Sequence, residues 1–104
     1  MALTLFININ ELTDEQYSRE MDFLCPHKRE RVLKMRFEDD RKRSLAANLA
    51  ARRAAADFLG LEEDDIAITC DGDGKPLCDE CFISLSHSGD YAVCAASSFP
   101  IGVD

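Results

Sequence analysis

Ile83-Ser84-Leu85-Ser86-His87-Ser88-Gly89, running on into Asp90-Tyr91-Ala92-Val93-Cys94-Ala95, is the stretch whose pattern sets the fold. Apolar residues recur at every second position up to a small polar cluster, the chain reverses at Gly89-Asp90, and a second apolar run departs. This is how an antiparallel hairpin reads, with strands over residues 82–85 and 91–96 and the polar cluster 86–89 at the turn. Two hydroxyls, an imidazole and free backbone N–H groups at a strand end suit an anion. A Ser86-His87 nucleophile pair is the weaker reading, because neighbouring strand residues point to opposite faces.

Upstream of the hairpin the chain alternates strand and helix signals. Leu3-Thr4-Leu5-Phe6-Ile7-Asn8-Ile9 is rich in β-branched and aromatic residues and predicts a strand. Thr13, with Gln16 three residues on and Asp14 and Glu15 between, predicts a capped helix ending near Leu24. Cys25-Pro26 breaks it, and Pro26 opens a second helix to about Arg36, with Val32, Met35 and Phe37 expected toward the core. The longest helix is expected over residues 39–59, stopped by Gly60. Leu45, Leu49, Arg52, Ala56 and Leu59 share one arc of it, so Arg52 either snorkels to an edge or pairs with a buried acid. Residues 66–70 alternate as a strand, and Asp71-Gly72-Asp73-Gly74 is a turn. The fold class expected is α/β (α+β), a small antiparallel sheet packed against a long helix, in a single domain of 104 residues.

With 46% apolar residues, disorder is excluded. No stretch is long enough for a membrane span, and the N-terminus lacks a basic signal region, so a cytoplasmic protein without a membrane partner is expected. Cys25, Cys70, Cys78, Cys81 and Cys94 are odd in number and unevenly spaced, which fits reduced thiols better than a disulfide framework. The net charge of −8 conceals an asymmetry: residues 28–53 hold ten of the twelve lysines and arginines and only four acids. A basic segment in an otherwise acidic chain faces either solvent or a particular anion.

Two metal-like motifs read as weak. Cys78-x-x-Cys81 lacks a second ligand pair at matching spacing, and a strand rather than a helix follows it. Asp71-x-Asp73-Gly74 lacks the Gly and Glu positions of a calcium loop.

Five segments in order, Pro26-His27-Lys28-Arg29, Arg43-Ser44-Leu45, Gly74-Lys75-Pro76, the 83–89 stretch and Ile101-Gly102-Val103-Asp104, resemble the surfactin-type 4′-phosphopantetheinyl transferases. Ser-His-Ser-Gly followed about a dozen residues later by Ile-Gly-Val-Asp is the specific part of the match. The resemblance implies transfer of the phosphopantetheine arm of coenzyme A to a serine of an acyl or peptidyl carrier protein, with release of adenosine 3′,5′-bisphosphate. It also implies a pseudodimer of two similar halves, with coenzyme A and Mg²⁺ at their junction. Lys28 and Arg31 look like the family's contacts to the 3′-phosphate, with Arg43 and Ser44 beside them. Lys75 is similar to the lysine that reaches the phosphates, Ser86 and His87 to further coenzyme A contacts, and Asp104 to the first acid of an Asp-x-Glu pair that holds Mg²⁺.

The second acid and the Trp/Phe-x-x-Lys-Glu-Ala segment of the family's second half are absent from these 104 residues. The expectation is therefore an N-terminal subdomain over 1–104, truncated after its first metal acid and inactive alone, with no catalytic residue of its own and prone to self-associate. The alternative is a non-catalytic anion-binding or nucleic-acid-binding module using the basic helices. The acidic remainder of the chain disfavours nucleic acid.

Overall fold

The fold is seen in a computed structural model that describes residues 2–70, 76–78 and 80–98, the side chains of residues 2, 76, 87 and 88 excepted. Strand β1 (Ala2–Asn8) leads through a 3₁₀ turn (Ile9–Glu11) into α1 (Asp14–Phe23), α2 (Pro26–Leu33) and α3 (Glu38–Leu59). A second 3₁₀ turn (Glu63–Asp65) precedes the short strands β2 (Thr69–Cys70) and β3 (Pro76–Leu77), and β4 (Phe82–Ser88) and β5 (Tyr91–Ser97) follow. The main sheet has the order β1-β5-β4 and is antiparallel throughout, with Phe6 opposite Val93 and Val93 opposite Ser86. The expected small antiparallel sheet against a long helix is what the chain forms.

Local chemistry explains most boundaries. Thr13 makes a full capping box: its Oγ1 accepts from the Gln16 N–H at 3.1 Å and its own N–H donates to Gln16 Oε1 at 2.9 Å. Pro26 sits in the first turn of α2, where its missing N–H costs nothing. Gly60 ends α3 at φ 71°, a left-handed conformation that a Cβ would strain. At the hairpin turn Gly89 has φ 57°, and the Ile9 N–H donates to the Asp90 carbonyl at 2.8 Å, tying the turn to the end of β1.

Four expectations are corrected. The polar cluster is not confined to the turn, because β4 runs on through Ser88 and its ladder pairs Ser88 with Tyr91. α2 stops at Leu33 rather than near Arg36, since the Arg41 guanidinium takes the Met35 carbonyl with bonds of 3.0 and 2.6 Å and turns the chain into α3. Phe37 is 67% exposed as the N-cap residue of α3, not a core residue. Ile66 and Ile68 are buried while Ala67 and Thr69 are exposed, but only Thr69–Cys70 pairs as strand. Alternation reports which side is buried and not whether a partner strand is present.

α3 is buried over more than the single arc expected. Its alanines 46, 50 and 54 and Leu49 join Ile7, Ile83, Cys94 and Ala96 of the sheet in one cluster, while Leu45 closes on Leu24 and Val32 in another. Small side chains let the helix lie between the two layers. Of the two readings for Arg52, the structure takes the buried pair: its guanidinium meets Glu20 of α1, both side chains nearly inaccessible. Asn48 donates to the other Glu20 oxygen at 2.8 Å, Arg52 donates to the Glu63 carbonyl at 2.9 Å, and its guanidinium lies 3.3 Å from the centre of the Phe23 ring.

Cys25 and Cys70 are joined in a disulfide, which corrects the expectation of reduced thiols throughout. The fold brings the start of α2 to the end of β2 across 45 residues of sequence, a proximity that spacing alone does not reveal.

Candidate functional site

α2 and the first turns of α3 lie against the edge strand β4 and leave a groove of about 530 Å³ between them. α2 contributes Lys28, Arg31 and Val32, the α2–α3 bend Met35, α3 Asp40, Arg43, Ser44 and Ala47, and β4 Leu85 and Ser86. The spacing explains the convergence: Lys28 and Arg31 are one turn apart on α2, as are Asp40 and Arg43 on α3, so each helix presents its charged groups on one side. The resulting surface has three cations and the Ser44 hydroxyl above an apolar floor of Val32, Met35, Ala47 and Leu85, with Ser86 of the edge strand at its rim. It can hold an anion attached to a flat or apolar body.

Five residues singled out in the sequence, Lys28, Arg31, Arg43, Ser44 and Ser86, therefore share one groove. Lys75 and Asp104 lie outside the described residues, as does the side chain of His87, whose backbone pairs with Ala92 in the β4–β5 ladder. Sequence reasoning missed Asp40. Its Oδ1 accepts from Arg43 Nη1 at 2.9 Å, and Arg43 Nε also donates to the Gly89 carbonyl at 3.4 Å, so one guanidinium links α3 to the hairpin turn. The acid three residues before Arg43 was the available signal. Ser44 Oγ lies 3.8 Å from Met35 Sδ, which places the hydroxyl beside the groove floor.

Burial holds the Lys28 ammonium below the ordinary lysine range, and the neighbouring Arg31 charge pushes in the same direction. Each works against the charged form, so an anion that neutralises Arg31 and meets Lys28 directly relieves both. The Cys81 thiol is pushed up to about 12 by burial and by its hydrogen bond and proximity to Cys78, and burial pushes Cys94 to about 12 as well. Both are protonated near neutrality and so weak as nucleophiles. Among the described residues no group of three or more His, Cys, Asp or Glu is placed to hold a metal ion, and no helix is long and apolar enough to cross a membrane.

Comparison with known proteins gives the family and the fold. A family model described as 4′-phosphopantetheinyl transferase, N-terminal, matches residues 11–99. The chain is 31% identical over 96 residues to the 4′-phosphopantetheinyl transferase Sfp of Bacillus subtilis (strain 168), covering 89% of this chain and 43% of that protein. Over 88 residues it is 35% identical to the L-aminoadipate-semialdehyde dehydrogenase-phosphopantetheinyl transferase of Xenopus laevis, covering 76% of this chain and 29% of that one. The chain thus spans less than half the length of these relatives. A holo-(acyl-carrier-protein) synthase from Bacillus anthracis, solved in complex with CoA (3′,5′-ADP), shares the fold with a TM-score of 0.67 at 21% identity, over 91% of each chain.

Proposed function

We propose, since this chain belongs to the 4′-phosphopantetheinyl transferase family by its N-terminal module, that its cationic groove holds the adenosine 3′-phosphate end of coenzyme A. The observation that carries this reading is the convergence of Lys28, Arg31 and Arg43 with Ser44 and Ser86 over an apolar floor. A 3′-phosphate meets the cations and the Ser44 hydroxyl, and an adenine ring has the apolar surface that the floor needs. Lys75 and His87 are proposed as further coenzyme A contacts. Asp104 is the group of this chain proposed to meet Mg²⁺, an ion whose bound form neutralises pyrophosphate charge as a leaving group departs. The parent enzyme would transfer the phosphopantetheine arm to a serine of an acyl or peptidyl carrier protein in the cytoplasm.

By itself the chain is proposed to bind and not to transfer. The groove carboxylate, Asp40, is engaged by Arg43 and is not free to take a proton from a carrier serine. The test is calorimetric titration of the chain with coenzyme A and with a single-stranded oligonucleotide of similar charge. Saturable binding of coenzyme A with much weaker oligonucleotide binding is expected, and the reverse order favours the nucleic-acid module and overturns this reading. Adding apo carrier protein and Mg²⁺ should leave the carrier mass unchanged; a carrier gaining the phosphopantetheine mass at an enzymatic rate overturns the inactivity.

Self-association is proposed on separate grounds. The sheet face turned away from α3 carries Phe6, Phe82 and Tyr91, 65%, 49% and 49% exposed, where a buried counterpart is the ordinary fate of aromatic side chains. Light scattering is expected to show a mass that rises with concentration, and a strictly monomeric species at high concentration rejects the proposal.

A further inference from the structure

The helix that carries Lys28 and Arg31 is lightly held. α2 has eight residues, of which only Val32 is buried, and its N-cap residue Cys25 makes no side-chain capping bond. The ion pair of Arg29 with Asp22, at 3.5 Å, joins side chains 49% and 79% exposed, and such pairs add little. By contrast α1 has its capping box and the buried Glu20, and α3 is buried along most of its length. What fixes the start of α2 covalently is the disulfide from Cys25 to Cys70, whose Cα atoms are 6.6 Å apart. Both cysteines are half-buried and thus within reach of a small thiol. The bond ties one wall of the groove to the β2–β3 ladder, an element that lines none of it.

We propose that the Cys25–Cys70 disulfide is a redox control on the groove: intact, it holds α2 with Lys28 and Arg31 in place for the anion, and reduced, it lets α2 loosen and weakens binding. This deepens, and rests on, the coenzyme A reading above. The step balances with a dithiol as reductant. One thiolate of the dithiol attacks a sulfur of the bond and releases the other cysteine, which takes a proton. The second thiol of the reductant then displaces the remaining cysteine, so two electrons and two protons reach the protein and the reductant closes as its own disulfide. In reducing compartments, disulfides of this kind form transiently and act as sensors.

Coenzyme A is itself a thiol and would exchange with the bond, so adenosine 3′,5′-bisphosphate is the probe to use. Its affinity for the full 104-residue chain is measured before and after reduction with dithiothreitol, and for the Cys25→Ser/Cys70→Ser double variant. Amide hydrogen exchange over residues 26–33 is followed in parallel. Binding at least about fivefold weaker is expected on reduction, from a binding-competent α2 populated only part of the time. The double variant should match the reduced chain and ignore reductant, and exchange should quicken in α2 while α3 stays protected. Equal affinity in the two redox states overturns the control and leaves the coenzyme A reading standing. Failure of the probe to bind in either state overturns both. Should the double variant not fold, the oxidised and reduced forms of the natural chain decide alone.

Discussion

Replacing Arg52 with methionine is expected to lower the unfolding free energy by about 3–5 kcal/mol, read from urea denaturation at neutral pH. The arginine meets Glu20, and it also donates to the Glu63 carbonyl at 2.9 Å, to the Ile66 carbonyl at 3.4 Å and to Asp64 at 3.3 Å. Its removal leaves a carboxylate that is 1% exposed with Asn48 as its remaining hydrogen-bond partner. A domain of this size has roughly 5–15 kcal/mol in total, so a sizeable fraction of the variant should be unfolded. The double variant Glu20→Gln/Arg52→Met should recover much of the loss, since no buried charge then remains.

The pH dependence separates this account from simple loss of packing. Burial already pushes the Glu20 carboxyl above its ordinary range, with Asn48 and Arg52 acting against that rise. Without Arg52 the folded-state value must climb further, so the folded variant binds a proton that the unfolded chain has released. Its stability deficit should therefore shrink as pH falls through the folded-state value and grow as pH rises. A deficit that is constant from pH 5 to neutrality would locate the cost in packing against Phe23 instead.

These effects also show what a single sequence discloses. Thr13 with Gln16, Pro26, Gly60 and the alternation on either side of Gly89-Asp90 are local devices, and each marks its element because the physics that fixes it acts within a few residues. Lys28, Arg31 and Arg43 were legible as a basic run, and their resemblance to a known family gave the run an anion. What stayed hidden depends on distant partners. That Arg52 would find Glu20, 32 residues away, and Cys25 find Cys70, 45 residues away, follows from how α1, α2 and β2 settle around α3. Asp40 was hidden for a different reason. An acid among cations reads as a solvated helical face until the groove shows it sharing a lining with them.

Removing Lys28 and Arg31 together, as alanines, is expected to weaken coenzyme A binding about 100-fold, each charge-assisted contact to phosphate being worth about 1.5–3 kcal/mol and the half-exposed setting favouring the low end. Stability should change little, because neither side chain makes a buried ion pair, whereas Val32, the residue after Arg31, is in the core and is left in place. The decisive comparison is with dephospho-coenzyme A, which lacks the 3′-phosphate. The natural chain should prefer coenzyme A, and the variant should bind both compounds with the same low affinity; a preference that survives the substitutions places the 3′-phosphate elsewhere. Lys28 adds a pH signature. Its value is held down in the free chain by burial and by Arg31, so binding a phosphate draws a proton onto it. Affinity should then fall as pH rises through that lowered range, while Lys28's own contribution to the stability of the free chain rises over the same window because the charge that burial disfavours is lost. The raised Cys81 and Cys94 thiols act in the opposite direction, so this contribution is read as the difference between the natural chain and Lys28→Ala. Phosphate binding and Lys28's share of folding stability thus respond to alkali with opposite signs, and Lys28→Ala should remove both contributions at once while leaving the slope set by Cys81 and Cys94.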